Sequence, residues 1–145
     1  GKRALWMDDR IPGEQFLREN GFLFIHPVGK SMLPLFRGGL ETVALAPPDD
    51  IRVGDVVWYR RTDGSDVLHR VLRAEGDVLD LCGDNQIRVE RGVSRGQVLG
   101  VMRGFYRGEH YVDAGSAAYR LYVRIWRHLP LRRALLKALR ILRKV

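Results

Sequence analysis

Between Phe22 and Tyr106 the apolar residues fall in short runs bounded by glycine, proline or aspartate, and within the runs apolar and polar positions tend to alternate. That pattern predicts strands over 22–28, 41–46, 56–60, 67–73, 78–82 and 98–106. Pro47-Pro48-Asp49-Asp50, Thr62-Asp63-Gly64-Ser65 and Glu75-Gly76-Asp77 punctuate them as turns, and Gly108-Glu109 turns the last strand into Tyr111-Val112. Ahead of the strands, residues 12–21 read as a short helix opened by Pro12 and closed by Gly21. Short strands with glycine turns at this spacing predict a mainly β fold, a small and strongly curved antiparallel sheet.

After Gly115 the period becomes helical, and Pro130 is expected to end or kink the helix near Leu129. In the second helical stretch Leu131, Ala134, Leu135, Ala138, Leu139 and Leu142 share one face, while Arg132, Arg133, Lys137, Arg140, Arg143 and Lys144 fill the other. The chain therefore divides into a β domain over 1–113 and a basic amphipathic helical tail over 114–145.

Charge sharpens that division. The chain of 145 residues carries a net +8, yet residues 1–113 hold 16 Lys+Arg against all 17 Asp+Glu, whereas the tail holds 9 Lys+Arg and no acid. A near-neutral body argues against a nucleic-acid groove across the domain, and the cationic tail suits an anionic surface. Two placements of the tail follow: peripheral contact with an anionic membrane, or packing on its own domain or on a second copy. No apolar run reaches the length of a membrane span, so a cytoplasmic or peripheral membrane location is expected. The opening Gly1-Lys2-Arg3 has the look of a cloning remnant, and a membrane anchor upstream of it is compatible with the sequence. The lone Cys82 permits no internal disulfide and sits in an apolar run as a small core residue.

The candidate chemistry lies in Val28-Gly29-Lys30-Ser31-Met32-Leu33-Pro34, in Val67-Leu68-His69-Arg70-Val71 and in Gly83-Asp84-Asn85. A serine hydroxyl needs a base to become a nucleophile. Lysine is badly provided for that role: only Lys2, Lys30, Lys137 and Lys144 occur, and Lys30, next to Ser31 on an extended segment, points to the opposite face. Of the four histidines, His26 precedes Pro27, His110 sits in a hairpin turn and His128 in the tail. His69 stands in mid strand on one face with Val67 and Val71, where apolar neighbours keep an imidazole neutral and fit to accept a proton. His26, His69, His110 and Cys82 show no metal-ligand spacing, and no cofactor is expected.

Taken in order, the boxes at Gly29–Pro34, Ile51–Val57, Val67–Val71, Gly83–Asn85 and Val98–Val101 resemble the clan of serine peptidases that contains the signal peptidases and the self-cleaving LexA-type repressors. A histidine followed by Arg-Val resembles its endoplasmic-reticulum and archaeal signal peptidase branch, which uses histidine where bacterial signal peptidases use lysine. The resemblance implies Ser31 as nucleophile, His69 as general base, and an acid orienting His69, with Asp84 favoured and Glu90 close behind. It implies the Ser31 amide as oxyanion donor, since Gly29 stands where many bacterial signal peptidases have a second hydroxyl. It also implies a substrate bound as an added β-strand along 22–28 or 41–46. The expected function is that of a bacterial processing endopeptidase removing a leader or signal segment. The alternatives are a non-catalytic peptide-binding module, or a regulator of the same fold that cleaves itself, for which Ala114-Gly115-Ser116-Ala117 is a candidate segment. Two departures stand out: Gly38-Gly39-Leu40 where relatives often have Gly-Asp, and no transmembrane anchor.

Overall fold

The computed structural model describes residues 12–144; Lys2 and the Gly1-Lys2-Arg3 opening lie outside the described residues. The chain forms α1 (Gly13–Asn20), β1 (Leu23–Ile25), β2 (Glu41–Ala46), β3 (Val56–Arg60), β4 (Asp66–Glu75), β5 (Val78–Cys82), β6 (Glu90–Ser94), β7 (Val98–Arg107), β8 (His110–Asp113), α2 (Ala117–Trp126) and α3 (Leu129–Lys144). The strands make one antiparallel sheet in the order β1-β2-β7-β3-β4-β5-β6, with β8 also paired to β7. β7 is the spine: its first residues pair with β3 and its later ones with both β2 and β8.

Alternation along β3 explains the layering. Val56 and Trp58 point into one apolar cluster with Leu17, Ile25, Met32, Phe36, Val43 and Phe105, and Val57 and Tyr59 into a second with Val71, Leu79, Leu81, Val98 and Val101. Buried on both faces, β3 reads in sequence as the unbroken run Val56-Val57-Trp58-Tyr59 instead of an alternating one. Register shifts at Ala44/Leu45, Trp58/Tyr59, Val71/Arg73 and Leu79/Leu81 interrupt four of the pairings, and such irregularities increase the local twist.

The pattern of short apolar runs locates every strand except β6, whose residues Glu-Arg-Gly-Val-Ser bury only Val93 fully and carry no strand signature. Of the two segments expected to offer a free edge, 41–46 is covered on both sides, by β1 and by β7, so it is not the edge; β1 is.

Pro130 falls at the second residue of α3, where its missing N–H costs nothing, and α2 has already ended at Trp126. Tyr119 and Trp126 of α2 and Leu136 of α3 are buried, and Tyr119 joins the first apolar cluster of the sheet. The expected faces of α3 need one correction. Arg132, assigned above to the solvated side, is fully buried, whereas Leu131 and Leu142 are exposed. The reason is that Arg132 finds acceptors in the sheet: its Nε donates to the Trp126 carbonyl at 2.7 Å, and Nη1 donates to the carbonyls of Gly83 at 2.9 Å and Gln86 at 3.0 Å. A buried guanidinium with that many partners holds the helix at a rotation its apolar stripe alone does not choose. No helix among the described residues is long and apolar enough to cross a membrane.

Candidate active site

Ser31 opens a compact turn that follows β1 after the irregular segment 26–30. Met32, Leu35 and Phe36 anchor this turn in the first apolar cluster, Phe36 edge-on to Phe105 at 5.2 Å between ring centroids. The buried Glu41 carboxylate accepts from the Arg37 N–H at 2.8 Å and from Arg107 Nε at 3.2 Å, and Arg107 Nη2 donates to the Leu35 carbonyl at 2.8 Å. With its hydrophobic residues inserted and its end clamped, the turn leaves Ser31 half-buried at the surface. Neither the Ser31 N–H nor its Oγ is engaged by a hydrogen bond among the described residues.

The turn docks on Gly83-Asp84-Asn85. The Asn85 N–H donates to the Ser31 carbonyl at 2.8 Å, and the Asp84 N–H points at Met32 Sδ at 3.3 Å. Gly83 is the contact point: a Cβ there would lie 2.5 Å from the Ser31 carbonyl oxygen and 3.0 Å from His69 Cδ2. Only glycine leaves room for the serine turn and the imidazole to approach this closely. The fold thus brings Ser31 and His69 to the same spot from positions far apart in sequence, although no hydrogen bond joins them.

His69 is the one buried histidine; His26, His110 and His128 are exposed. It sits opposite Val57 in the β3–β4 register, on the diagonal from Tyr59. Its Nδ1 lies 3.2 Å from Tyr59 Oη, and Tyr59 Oη donates to Glu90 Oε1 at 2.7 Å. Because the carboxylate takes the only phenolic proton, Tyr59 faces His69 with a lone pair, which fixes the Nδ1–H tautomer and leaves Nε2 as the free base. Nε2 is bonded to Cδ2, the ring atom that lies against Gly83. Glu90 is held in turn by Arg61, whose Nη2 donates at 2.8 Å.

Burial, followed by the nearby Arg61 cation, lowers the His69 pKa from 6.5 to about 4. Glu90 is pushed up by its partial burial and pulled down more strongly by the hydrogen bonds from Arg61 and Tyr59, so it titrates below the usual carboxylate range. Burial and the bond to Glu90 raise the Tyr59 phenol, keeping it protonated. The depressed His69 value makes stability pH-dependent in a defined direction. The neutral ring contributes fully above pH 6.5, and the contribution of about 3 kcal/mol is lost as pH falls through the folded value near 4. Denaturant unfolding across that window should show this loss in the native protein and its absence in His69→Ala.

Asp84, favoured above as the group orienting His69, is committed elsewhere. It is fully buried, its carboxylate bound in two-pronged fashion by Arg70 Nε and Nη2 at 2.8 Å each and by Tyr122 Oη at 2.7 Å. Alternation sends Arg70 to the face of β4 opposite His69, so the acid that pairs with Arg70 is turned away from the imidazole. Trp126 Nε1 donates to the Asp84 carbonyl at 2.7 Å, and Arg70 lies over the rings of Tyr119 and Tyr122 at 5.7 and 5.5 Å. Asp84 therefore fastens α2 to the sheet and holds the turn that carries Asn85 to Ser31. Glu90, the second candidate, is the acid that reaches His69, through Tyr59.

Three contributors escaped the sequence reading. Tyr59 lies in an apolar run and reads as core; Arg61 follows a strand and reads as a turn charge; Arg132 sits in an amphipathic helix and reads as surface. Cys82 is buried as expected, with its thiol pushed up by burial. Ala114 and Gly115 of the candidate self-cleavage segment line a different cleft, together with Arg103 and Arg120. Compared with protein-family models, curated proteins and solved structures, the chain shows no significant match.

Proposed function

We propose that this protein is a serine endopeptidase with a signal peptidase/LexA-like fold that removes a leader or signal segment from a peptide or protein. One observation carries the reading: the Ser31 turn and the Cδ2–Nε2 edge of His69 meet at Gly83, while Nδ1 is turned to a Tyr59–Glu90 pair. A half-buried hydroxyl beside a neutral imidazole of fixed tautomer is the arrangement that acyl transfer requires.

In this mechanism the substrate strand closes the gap between Ser31 Oγ and His69 Nε2. Nε2 takes the hydroxyl proton as Oγ attacks the scissile carbonyl, and the unengaged Ser31 N–H faces the developing oxyanion. His69 then passes the proton to the leaving amine, and water, deprotonated by the same Nε2, releases the acyl group. The imidazolium formed in between is stabilised by Glu90 through the Tyr59 hydroxyl. β1 supplies a free strand edge upstream of the nucleophile turn, separated from it by residues 26–30 and suited to adding the substrate as a strand. The exposed apolar row of Leu131, Ile141 and Leu142 on α3, flanked by Arg133, Lys137 and Arg143, supports peripheral contact with an anionic membrane.

The test is cleavage of a degenerate peptide pool followed by mass spectrometry: products from the native protein and none from Ser31→Ala or His69→Ala. Processing that survives both substitutions overturns the proposal; absence of cleavage by the native protein overturns it in favour of a peptide-binding module.

Tyr59→Phe keeps the ring packing and removes the hydroxyl that links His69 to Glu90. kcat should fall on the order of tenfold, the worth of one hydrogen bond made in the transition state, with KM unchanged. An unchanged kcat would remove Tyr59 from the proton path.

A further inference from the structure

Beside His69 opens a cleft of ≈ 620 Å³ whose lining includes Arg61, Arg88, Glu90 and Arg140. Three arginines thus share the lining with one carboxylate, and that carboxylate is already bound by Arg61 through bonds of 2.8 and 3.2 Å. Arg88 is exposed and makes no ion pair among the described residues; Arg140 donates only to the Asn85 carbonyl, at 3.1 Å. These two cations come from separate elements, the β5–β6 connection and α3, so the folding-back of the tail completes the cleft. The apolar part of the lining, Leu81, Ile87 and Val89, seats the stem of a side chain with its charged end toward the arginines.

We propose, resting on the peptidase reading above, that this cleft selects substrates carrying an aspartate or glutamate within a few residues of the scissile bond. A carboxylate entering the cleft meets planar donors able to bind it in two-pronged fashion, in a concave setting that focuses their field. A lysine or arginine at the same position meets like charge and is rejected. The cationic excess noted in the tail has a local use here: Arg140 places part of it at the site instead of on a remote surface.

The closing experiment uses the full chain and synthetic peptides degenerate at each position around the cut. Acidic residues should be enriched at one position among the products, and changing that residue to its amide should lower kcat/KM by about ten- to a hundredfold. In Arg88→Glu the preference should shift toward lysine at that position, with the unfolding midpoint unchanged as a check on folding. Cleavage with no acidic enrichment, or an Arg88→Glu variant of unaltered preference, overturns the inference and leaves the peptidase reading standing. Cleavage of no peptide at all overturns both.

Discussion

Ser31→Ala is expected to abolish processing, with kcat falling at least a thousandfold, while the unfolding midpoint in denaturant stays within experimental error of the native protein. The two halves of that expectation have separate causes. A serine nucleophile and its base act as one unit, so removing the nucleophile forfeits nearly the whole gain of covalent catalysis, on the order of a millionfold in a serine protease. The fold loses little because the hydroxyl makes no hydrogen bond and the side chain is only half-buried; Met32, Leu35 and Phe36 hold the turn without it. His69→Ala should cost as much activity, and the double variant little more. Additive losses would mean that the two residues do not act on one proton.

The largest effect on stability is expected at the pair formed by Arg70 and Asp84. Both side chains are fully buried, joined by two bonds of 2.8 Å, and surrounded by Tyr119, Tyr122 and Trp126. Asp84→Ala leaves the Arg70 cation in a dry site with no counter-charge and should cost about 3–5 kcal/mol. Against a total of roughly 5–15 kcal/mol for a domain, that is enough to threaten folding. Replacing both partners with apolar residues of similar volume should recover only part of the loss, because the Arg70 charge disappears while the buried Arg132, 3.7 Å from Asp84 Oδ1, still loses its counter-charge. Denaturant unfolding of the single and double variants decides it. A loss under about 1 kcal/mol in Asp84→Ala would show the pair to be solvated. The kinetics offer an independent check on the role of this acid. If Asp84 set the His69 tautomer, Asp84→Asn would lower kcat by about ten-thousandfold with the fold intact; loss of stability is expected instead, with activity following the folded fraction.

The difference between these two acids shows how far the local reading reaches. Period-two alternation on β4 was enough to set His69 on the apolar face with Val67 and Val71, and the structure places it beside Tyr59 and burial lowers its pKa. The same alternation, carried one residue further, sends Arg70 to the other face, yet its partner at Asp84 is invisible without the turn geometry. Glu90 lies in a strand with almost no apolar content, so its approach to Tyr59 depends on the β5–β6 pairing, with Leu81 opposite Glu90. Tyr59 itself was hidden because a buried phenol and a buried phenylalanine occupy the same place in a hydrophobic pattern.

From the order of its residues alone, this chain determines its strands apart from β6, the helical turn-over after Gly115 and the break before Pro130, and it singles out Ser31 and His69. All of these depend on neighbours within a few positions, where backbone geometry and side-chain alternation act. Tertiary structure decided which acid reaches toward His69, which strand is an edge, and which face of α3 is buried. Those outcomes turn on hydrogen bonds of buried and half-buried polar groups between distant elements: Arg70 with Asp84, Tyr59 with Glu90, and Arg132 with the carbonyls of the Gly83 turn. A buried charge must find its partner wherever the fold puts one, and no local pattern records that address.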